Sequence, residues 1–497
     1  MKVFAGSLAA TLGVAAALRY HQLGLTLSHY DARGHLIVAR RIVDSITPGW
    51  QQIGAVWLPL PHLLNMLPVQ VDAFYRSGAS AVVISIASFA LAAAAIAWIV
   101  ALLTESRLAA LAACAVFVLN PNVLYLQATP MTEPLLLGLT TLGVAMLMSV
   151  GDSERVASRP ATVGIVLALA CLTRYEAWPV TYAALAATAW ARWRGGEPAS
   201  AALRSVTRIA LYPTIAIVAF TVFSRAVVGQ WFVSSDFFVP DNKAQGLPLV
   251  AINEIVWGTR ELSGHIVVVL GVAGCVALLA AGLFTRQRAS ALIALSLSTT
   301  AAVPWAAFID GHPFRIRYMV PLIVIEAVAV GTVVGVVVQT FRSAGLKACA
   351  TFVVILIALY ELHPFDKNAP MVFEAQWDLV NQSPRREVTR CLQARRRNEP
   401  VMASMGSLGH YMQEASHDGL NVRDFLHEGN GDIWLAALDE PRPYVRWIMM
   451  EEKAEGGDML YKRAREHPEF LQGYSRVCEG AGLALFERQN RMLNVKR

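Results

Sequence analysis

Apolar residues form long uninterrupted stretches through the first 360 positions of the chain, and polar residues gather in the segments between them. If each stretch is a helix that crosses a hydrocarbon core of roughly 30 Å, the pattern predicts about eleven spans. The predicted spans cover residues 3–18, 79–103, 108–119, 134–150, 161–172, 178–191, 206–228, 266–284, 291–309, 319–340 and 348–360.

The pattern changes after residue 360. Short apolar runs such as "PVMASMG", "VRWIMM" and "LALFERQ" accompany a helical stretch over residues 458–471. Such a mixture is typical of a small α/β domain. We therefore predict an α-helical polytopic membrane protein with a transmembrane domain over 1–360, a structured first outer loop over 19–78, and a C-terminal extramembrane α/β domain over 361–497.

Composition supports this division. Of the 497 residues, 55% are hydrophobic and only 16% are charged, which excludes a soluble enzyme. Residues 361–497 hold 19 of the 42 Lys+Arg and 21 of the 36 Asp+Glu, so the tail carries −2 and the preceding part +8. The basic excess thus lies in the membrane domain, and the sequence gives no support for a nucleic-acid partner.

The positive charges also indicate an orientation. If the N-terminus is cytoplasmic, the cytoplasmic connections are short and mostly basic, as the positive-inside rule requires. After an odd number of spans the tail is then extracytoplasmic, and we expect a multi-pass protein of a bacterial inner membrane. Residues 1–18 resemble a signal peptide, but no cleavage pattern followed by a soluble domain is present, so we interpret them as a retained first span.

The non-cytoplasmic face is rich in polar residues. All six histidines of the membrane domain fall on it, whereas the cytoplasmic loops have none, which favours an active site on that face. The alternative is that polar loops collect polar residues without a function. The six are His21, His29, His35, His62, His265 and His312.

The first outer loop is too long for a passive connector. Residues 31–44 have apolar positions at helical spacing opposed by Arg33, Arg40 and Arg41, which predicts an amphipathic helix lying at the membrane interface. The stretch "GWQQIGAVWLPLPHLLNMLPV" is apolar but broken by prolines, so it predicts a re-entrant or interfacial segment.

Asp31 is the first candidate for a catalytic base. It begins the predicted helix, two residues after His29 and one turn before His35. A carboxylate near the membrane surface can take a proton from an acceptor hydroxyl, and partial desolvation raises its basicity. The alternative is that Asp31 only caps the helix, which contributes about 1 kcal/mol.

Another acid stands at the mouth of the fourth span. Glu133 in "QATPMTEPLLL" can stabilise the positive end of the helix dipole, or it can belong to a cation or phosphate site. Both interpretations stay open.

Two arginine-bearing connections lie on the same face. "LTRYEAWP" contains Arg174, Tyr175 and Glu176, and "DGHPFRIRYMVP" contains His312, Arg315, Arg317 and Tyr318. Arginines on this side oppose the positive-inside tendency, and their bidentate fork suits a phosphate, so we predict phosphate binding. The alternative is ion pairing of Arg174 with Glu176 or of Arg317 with Asp310.

Several residues have no clear assignment. His62 can be a ligand or substrate contact, or only a hydrogen-bonded interfacial histidine. Glu326, the one acid well inside a predicted span, can be functional or structural. Cys391 and Cys478 share the tail and can form a disulfide in an oxidising compartment, but spacing does not establish their proximity.

The sequence lacks HExxH, paired CxxC, Walker and GxSxG motifs, so a metalloprotease, an ATPase and a serine hydrolase have no support.

Five short segments of residues 1–360 occur in a suggestive order: "HYDARGHL", "WLPLPHLL", "NPNVLYLQATPMTEPLLL", "LTRYE" and "RIRYMVPL". Together they resemble the GT-C class of glycosyltransferases. More narrowly, they resemble the superfamily of protein O-mannosyltransferases and the lipid A aminoarabinose transferase.

The resemblance implies an enzyme that moves a sugar from a polyprenyl-phosphate donor, with inversion, to a hydroxyl of a protein, lipid or glycan acceptor on the non-cytoplasmic face. It implies Asp31 as general base and Arg317 with Tyr318 near the donor phosphate. The further candidates are Arg315 and Arg174 for the phosphate, and Glu133, Tyr175, Glu176, His62, His35 and His29 for the substrate cavity.

The resemblance is incomplete. Protein mannosyltransferases carry an Asp-Glu pair after the first span, whereas Ala32 follows Asp31 here, so the acceptor type is not implied. Some relatives bind a divalent metal and others need none, and the histidines permit a metal without requiring one.

Two other classes compete. A lipid-linked sugar flippase or transporter predicts charged residues distributed through the spans and an internal repeat, neither of which we find. A non-catalytic subunit for assembly of envelope polysaccharide predicts that Asp31 is dispensable. The sequence names neither the sugar nor the acceptor, nor the oligomeric state.

Overall fold

Helices dominate the computed structural model, which describes residues 1–151, 159–229, 231, 242–405, 409 and 411–489. The helices are α1 Lys2–Gln22, α2 Tyr30–Arg41, α3 Leu60–Asn65, α4 Asp72–Ser77, α5 Ala79–Thr104, α6 Arg107–Val118, α7 Pro121–Leu126, α8 Glu133–Gly151, α9 Pro160–Cys171, α10 Ala177–Arg194, α11 Ala199–Val228, α12 Pro248–Ser263, α13 His265–Phe284, α14 Ala291–Leu295, α15 Ala302–Ile309, α16 Leu322–Thr340, α17 Ala344–Leu362, α18 Pro370–Gln376, α19 Leu379–Arg395, α20 Tyr411–Ala415, α21 Asp432–Asp439 and α22 Met459–Glu466. The strands are β1 Val401–Ala403, β2 Phe425–Leu426, β3 Trp447–Glu451, β4 Tyr474–Gly480 and β5 Leu483–Arg488.

The predicted spans coincide with helical segments of the structure. Within the described residues, eight segments are long and apolar enough to cross a membrane, and two shorter apolar helices, α6 and α9, match two further predicted spans. The remaining predicted span lies within α10. The span over residues 291–309 is not one regular helix, because a 3-10 segment, Ser296–Ala301, separates α14 from α15. These helices and the tail sheet confirm the predicted fold class.

The chain forms two compact units. The membrane unit contains Met1–Leu23, Ala55–Pro61 and Val82–Glu374, and the sheet unit contains Gly24–Gly54, His62–Ala81 and Ala375–Arg497. The sequence led us to expect a single division at residue 360. In the structure, most of the first loop belongs with the tail, and residues 361–374 belong with the membrane helices.

In the membrane unit, small residues allow close helix packing. Gly274 of α13 faces α16 so closely that a Cβ atom there would overlap the backbone of Ala329. Close approach between glycine and alanine is the usual way in which membrane helices gain packing contacts. A capping contact adds to this: the Glu361 carboxylate of α17 accepts hydrogen bonds from the N–H groups of Ile266 and Val267, at 2.7 and 3.0 Å, in the first turn of α13.

The "NPN" segment is a junction of the membrane unit. Asn120 caps α7 by accepting from the N–H of Asn122 at 3.0 Å. The side-chain amides of both asparagines donate to the carbonyl oxygen of Leu262, at 2.9 and 3.0 Å. The amide oxygen of Asn122 accepts from the N–H of Met371 at 3.0 Å. These buried bonds tie three parts of the unit together and give the motif a structural role.

The sheet unit is built on a five-stranded sheet in the order β2-β1-β3-β5-β4. β1 is parallel to β2 and β3, while β5 is antiparallel to β3 and β4. Since side chains alternate between faces, one face of the sheet packs on α2, α4, α19 and α20, and the other packs on α21 and α22. A disulfide joins Cys391 of α19 to Cys478 of β4.

The helix predicted over residues 31–44 exists as α2, but it does not present a polar face to solvent. Arg33 and Arg40 are only 2% and 4% exposed. Arg33 pairs with Asp378 and Glu414 at 3.1 and 2.6 Å. The expectation of a polar face open to water was therefore wrong, because Arg33 pairs with acids of the distant tail and Arg40 pairs with Asp44 and Asp72 of the first loop.

Arg385 gives a test of this buried network. Its guanidinium binds both oxygens of Glu414, at 2.7 and 2.9 Å, and both oxygens of Asp378, at 2.6 Å each. Arg385→Ala leaves two acids sharing Arg33, so we expect a loss of about 3–5 kcal/mol in the free energy of unfolding. Thermal unfolding of the full chain in detergent measures the shift. The control is Arg390→Ala on the same helix, whose exposed side chain is 3.5 Å from Asp418 and should contribute below about 1 kcal/mol. Equal shifts would contradict a stabilising role of the buried pair.

Asp458 gives a pH-dependent test. Burial raises its pKa to about 7, against hydrogen bonds from the N–H groups of Glu451 and Tyr461. The folded chain therefore holds this proton more tightly than the unfolded chain, and stability falls as pH rises from about 4 to about 7. The contribution is at most about 4 kcal/mol. Asp458→Asn should flatten the dependence of the melting temperature on pH, whereas Asp432→Asn, at an exposed position, should not. An unchanged slope in Asp458→Asn would refute the assignment.

Candidate functional site

The predicted site residues fall into two groups. Glu133, Arg174, Tyr175, Glu176, Arg315, Arg317 and Tyr318 belong to the membrane unit, whereas His29, Asp31, His35 and His62 belong to the sheet unit. Each group is described in its own unit.

Arg174 is the centre of the first group. It lies in the tight turn between α9 and α10, where its guanidinium pairs with Glu176 at 2.7 Å and with Glu133 at 3.0 Å. It also donates to the hydroxyl of Thr132 at 3.1 Å. Glu133 is fully buried at the N-terminus of α8, and Glu176 is 4% exposed. The ion pair between Arg174 and Glu176 that the sequence allowed is therefore present.

The electrostatics of this cluster favour a fixed, charged arginine. Burial opposes the charge of Arg174, but the carboxylates of Glu133 and Glu176 outweigh it and hold the pKa of the guanidinium above its ordinary value. Since two carboxylates already neutralise Arg174, it is a weaker candidate for a phosphate than the sequence alone suggested. Thr132 was not among the predicted residues, although its place directly before Glu133 was a usable signal.

Tyr175 connects this turn to the proline-rich segment. Its hydroxyl donates to the carbonyl oxygen of Ala55 at 3.3 Å, and the N–H of Leu60 donates to the carbonyl oxygen of Leu172 at 3.0 Å. The Tyr175 ring packs edge-on against Trp178, with centroids 5.2 Å apart. Residues 55–61 therefore belong to the membrane unit by direct contact with the turn that carries Arg174.

Arg317 lies in the short 3-10 turn Ile316–Met319 that precedes α16 and is 8% exposed. Its guanidinium sits 5.5 Å from the ring centroid of Tyr318. The charge of Arg317 lowers the pKa of Arg174, so the structure brings these two cations of the membrane unit into mutual range.

Asp31 occupies the first turn of α2 and is 4% exposed. The alternative that Asp31 only caps the helix does not hold: His29 is the N-cap, and its Nδ1 accepts from the N–H of Asp31 at 3.2 Å. The His29 ring stacks on Tyr30 at 4.7 Å between centroids.

His35 and His62 form a pair in the sheet unit. Nδ1 of His35 is 3.1 Å from Nε2 of His62, and both rings are buried. One ring must donate and the other accept, so at least one of the two is neutral. Nothing in the sequence predicted this contact, because 27 residues separate them. His35 lies one helical turn after Asp31, on the same face of α2.

Two further features bear on metal binding and proton transfer. Among the described residues, no group of three or more His, Cys, Asp or Glu side chains is arranged to hold a metal ion. Glu326 of α16 is buried and accepts from the hydroxyl of Ser263 at 2.5 Å, which fits the structural alternative for this acid.

Comparison with known proteins finds no matching family model and no matching curated protein. Two crystal structures of ArnT from Cupriavidus metallidurans are similar to the chain, each with a TM-score of 0.59. The one bound to undecaprenyl phosphate is 13% identical and the match covers 97% of this chain and 98% of that one. The apo structure is 12% identical, with 96% and 97% covered.

An oligosaccharyltransferase from Archaeoglobus fulgidus, crystallised with Zn and sulfate, is similar at a TM-score of 0.47 and 11% identity, over 87% of this chain and 65% of that one. The ArnT match extends over nearly the whole length of both chains. The chain therefore has the ArnT fold, which confirms the predicted GT-C-like architecture.

Proposed function

We propose that the protein is a membrane glycosyltransferase that transfers a sugar from a polyprenyl-phosphate donor to an acceptor hydroxyl. The observation that carries this proposal is the ArnT fold over 97% of the chain, found in a protein crystallised with undecaprenyl phosphate. Since fold alone does not fix function, the proposal also rests on the arginines, the buried aspartate and the ordered motifs of this chain.

The reaction needs two kinds of assistance. The acceptor oxygen attacks the anomeric carbon, the bond from that carbon to the phosphate oxygen breaks, and polyprenyl phosphate leaves with the bonding electrons. In the proposal, Asp31 takes the proton of the acceptor hydroxyl, and Arg317 balances the charge that develops on the leaving phosphate. Displacement from the opposite side inverts the anomeric configuration.

The other candidates have supporting roles in this scheme. Arg174, whose charge Glu133 and Glu176 already balance, is the weaker of the proposed phosphate contacts. Arg315 adds a further cation two residues before Arg317 in the chain. Tyr175, His29, His35 and His62 are proposed substrate contacts, and a divalent metal remains an optional component.

We further propose that transfer occurs on the non-cytoplasmic face of a bacterial inner membrane. The basic cytoplasmic loops support this orientation, with the N-terminus inside and the sheet unit outside. Partners of the enzyme would be the lipid-linked donor and an acceptor protein, lipid or glycan.

The role of Asp31 is tested by a transfer assay. Purified protein in lipid should transfer labelled sugar from one member of a panel of polyprenyl-phosphate donors, and Asp31→Asn should lower kcat by about 10²–10⁴ because it removes the base. Donor binding should persist. The matched control is Asp432→Asn, in the exposed first turn of α21, which should transfer at the wild-type rate.

The outcomes separate the competing functions. Equal transfer by wild type and Asp31→Asn would keep the enzyme and reject Asp31 as base. Movement of lipid-linked sugar across the bilayer without transfer would favour the flippase. The absence of both transfer and movement across the bilayer would favour an assembly subunit. Repeating the assay with a chelator tests for a metal.

The role of Arg317 is tested in the same way. Arg317→Ala should lower kcat/KM by about 10²–10³, since it removes a charged donor to the leaving phosphate, and Arg317→Lys should recover part of the loss. The same transfer assay measures kcat/KM for both variants. Arg342→Ala, at an exposed position after α16, serves as the control. An Arg317→Ala variant as active as wild type would exclude the phosphate role.

A further inference from the structure

His312 is held rigidly in the loop between α15 and the 3-10 turn that carries Arg317. Its N–H donates to the carbonyl oxygen of Ala307 at 2.9 Å. The side-chain amide of Asn242 donates to the carbonyl oxygens of Phe308 and His312. Both backbone polar groups of His312 are thus satisfied, and the ring has a defined place in the membrane unit.

The contacts of the ring decide its tautomer. Nδ1 lies 2.9 Å from the carbonyl oxygen of Pro313, which can only accept, so Nδ1 carries the proton. Nε2 then offers a lone pair, and the hydroxyl of Tyr318 lies 3.4 Å from it and donates. The two rings pack edge-on, with centroids 5.4 Å apart.

The charge state of His312 supports this direction of hydrogen bonding. Burial lowers the pKa of His312, and the cations Arg315 and Arg317 lower it further, whereas the bond to Pro313 opposes them. The ring is therefore neutral near pH 7, and its Nε2 remains an acceptor for Tyr318.

Tyr318 in turn faces Arg317. The guanidinium is 5.5 Å from the Tyr318 ring centroid, within the range of a cation–π contact. A tyrosine that is free to rotate would not hold the guanidinium in one orientation. The hydrogen bond from its hydroxyl to His312 removes that freedom, because it fixes the end of the ring opposite to the backbone.

We infer that His312 is a positioning residue for the donor phosphate, acting through Tyr318 on the orientation of Arg317. This inference deepens the proposed function and rests on the role given there to Arg317. In it, the hydroxyl of Tyr318 donates to His312, and the ring of Tyr318 contacts Arg317.

A double-mutant cycle tests the inference. We would compare wild type, His312→Ala, Tyr318→Phe and the double variant for donor KM, kcat, and Kd for undecaprenyl phosphate. Each single change removes the same hydrogen bond, so each should lower kcat/KM and raise Kd by about fivefold to tenfold. The double variant should be within about twofold of the worse single variant.

Conservative variants sharpen the test. The amide of His312→Gln lies where Nε2 was and can accept from Tyr318, so it should restore Kd to within about threefold of wild type. His312→Asn places its amide near the position of Nδ1 and should not. His467→Ala, at a histidine of the sheet unit whose side chain is 45% exposed, should leave all three values unchanged.

The outcomes distinguish this inference from the proposed function. Multiplicative losses in the double variant, or a Gln variant as weak as the Ala variant, would overturn the positioning role while wild-type transfer kept the enzyme. A wild type that binds undecaprenyl phosphate but transfers no sugar would reject the enzyme, and the Kd cycle would still decide the role of His312. If the wild type neither binds undecaprenyl phosphate nor transfers sugar, both the positioning role and the proposed function would be rejected.

Discussion

The pairing of buried arginines with carboxylates is the constraint on which the sheet unit depends. Arg33 and Arg40 of α2 are almost fully buried, and a guanidinium without a partner in such a place costs several kcal/mol. The partners of Arg33 are Asp378 and Glu414, and Asp378 is 345 positions away in sequence. The first loop and the tail must therefore fold together to neutralise Arg33.

Buried arginines of the membrane unit also need partners, but there the two arginines of the candidate site have partners of different kinds. Glu133 and Glu176 neutralise Arg174. These ion pairs hold the turn between α9 and α10 rigid. Arg317 rests on the ring of Tyr318, which is fixed in turn by His312. The cluster thus combines one arginine locked by acids with a second one oriented by aromatic side chains. In the proposed reaction, such preorganised charge would stabilise the leaving phosphate without reorganisation.

An identity of 13% over a nearly full-length structural match shows how little of a sequence is needed to keep this architecture. Apolar helices tolerate exchange among aliphatic residues, whereas buried polar groups tolerate little because each must keep its partner. The "NPN" junction, the Arg174 cluster and the arginines of α2 are buried polar networks of this kind, and they make specific demands on sequence within otherwise permissive helices.

The sequence by itself determined the elements whose cause is local. The spans follow from uninterrupted apolar composition, and the tail sheet follows from short alternating runs. The motifs gave the GT-C-like fold and the candidate residues Asp31, Arg174 and Arg317.

The tertiary structure decided what depends on distant partners. It replaced a solvent-facing α2 by a buried one, made His29 rather than Asp31 the helix cap, assigned most of the first loop to the sheet unit, and joined His35 to His62. A local pattern records how apolar a face is, but it does not record which distant side chain will neutralise a charge or accept a proton.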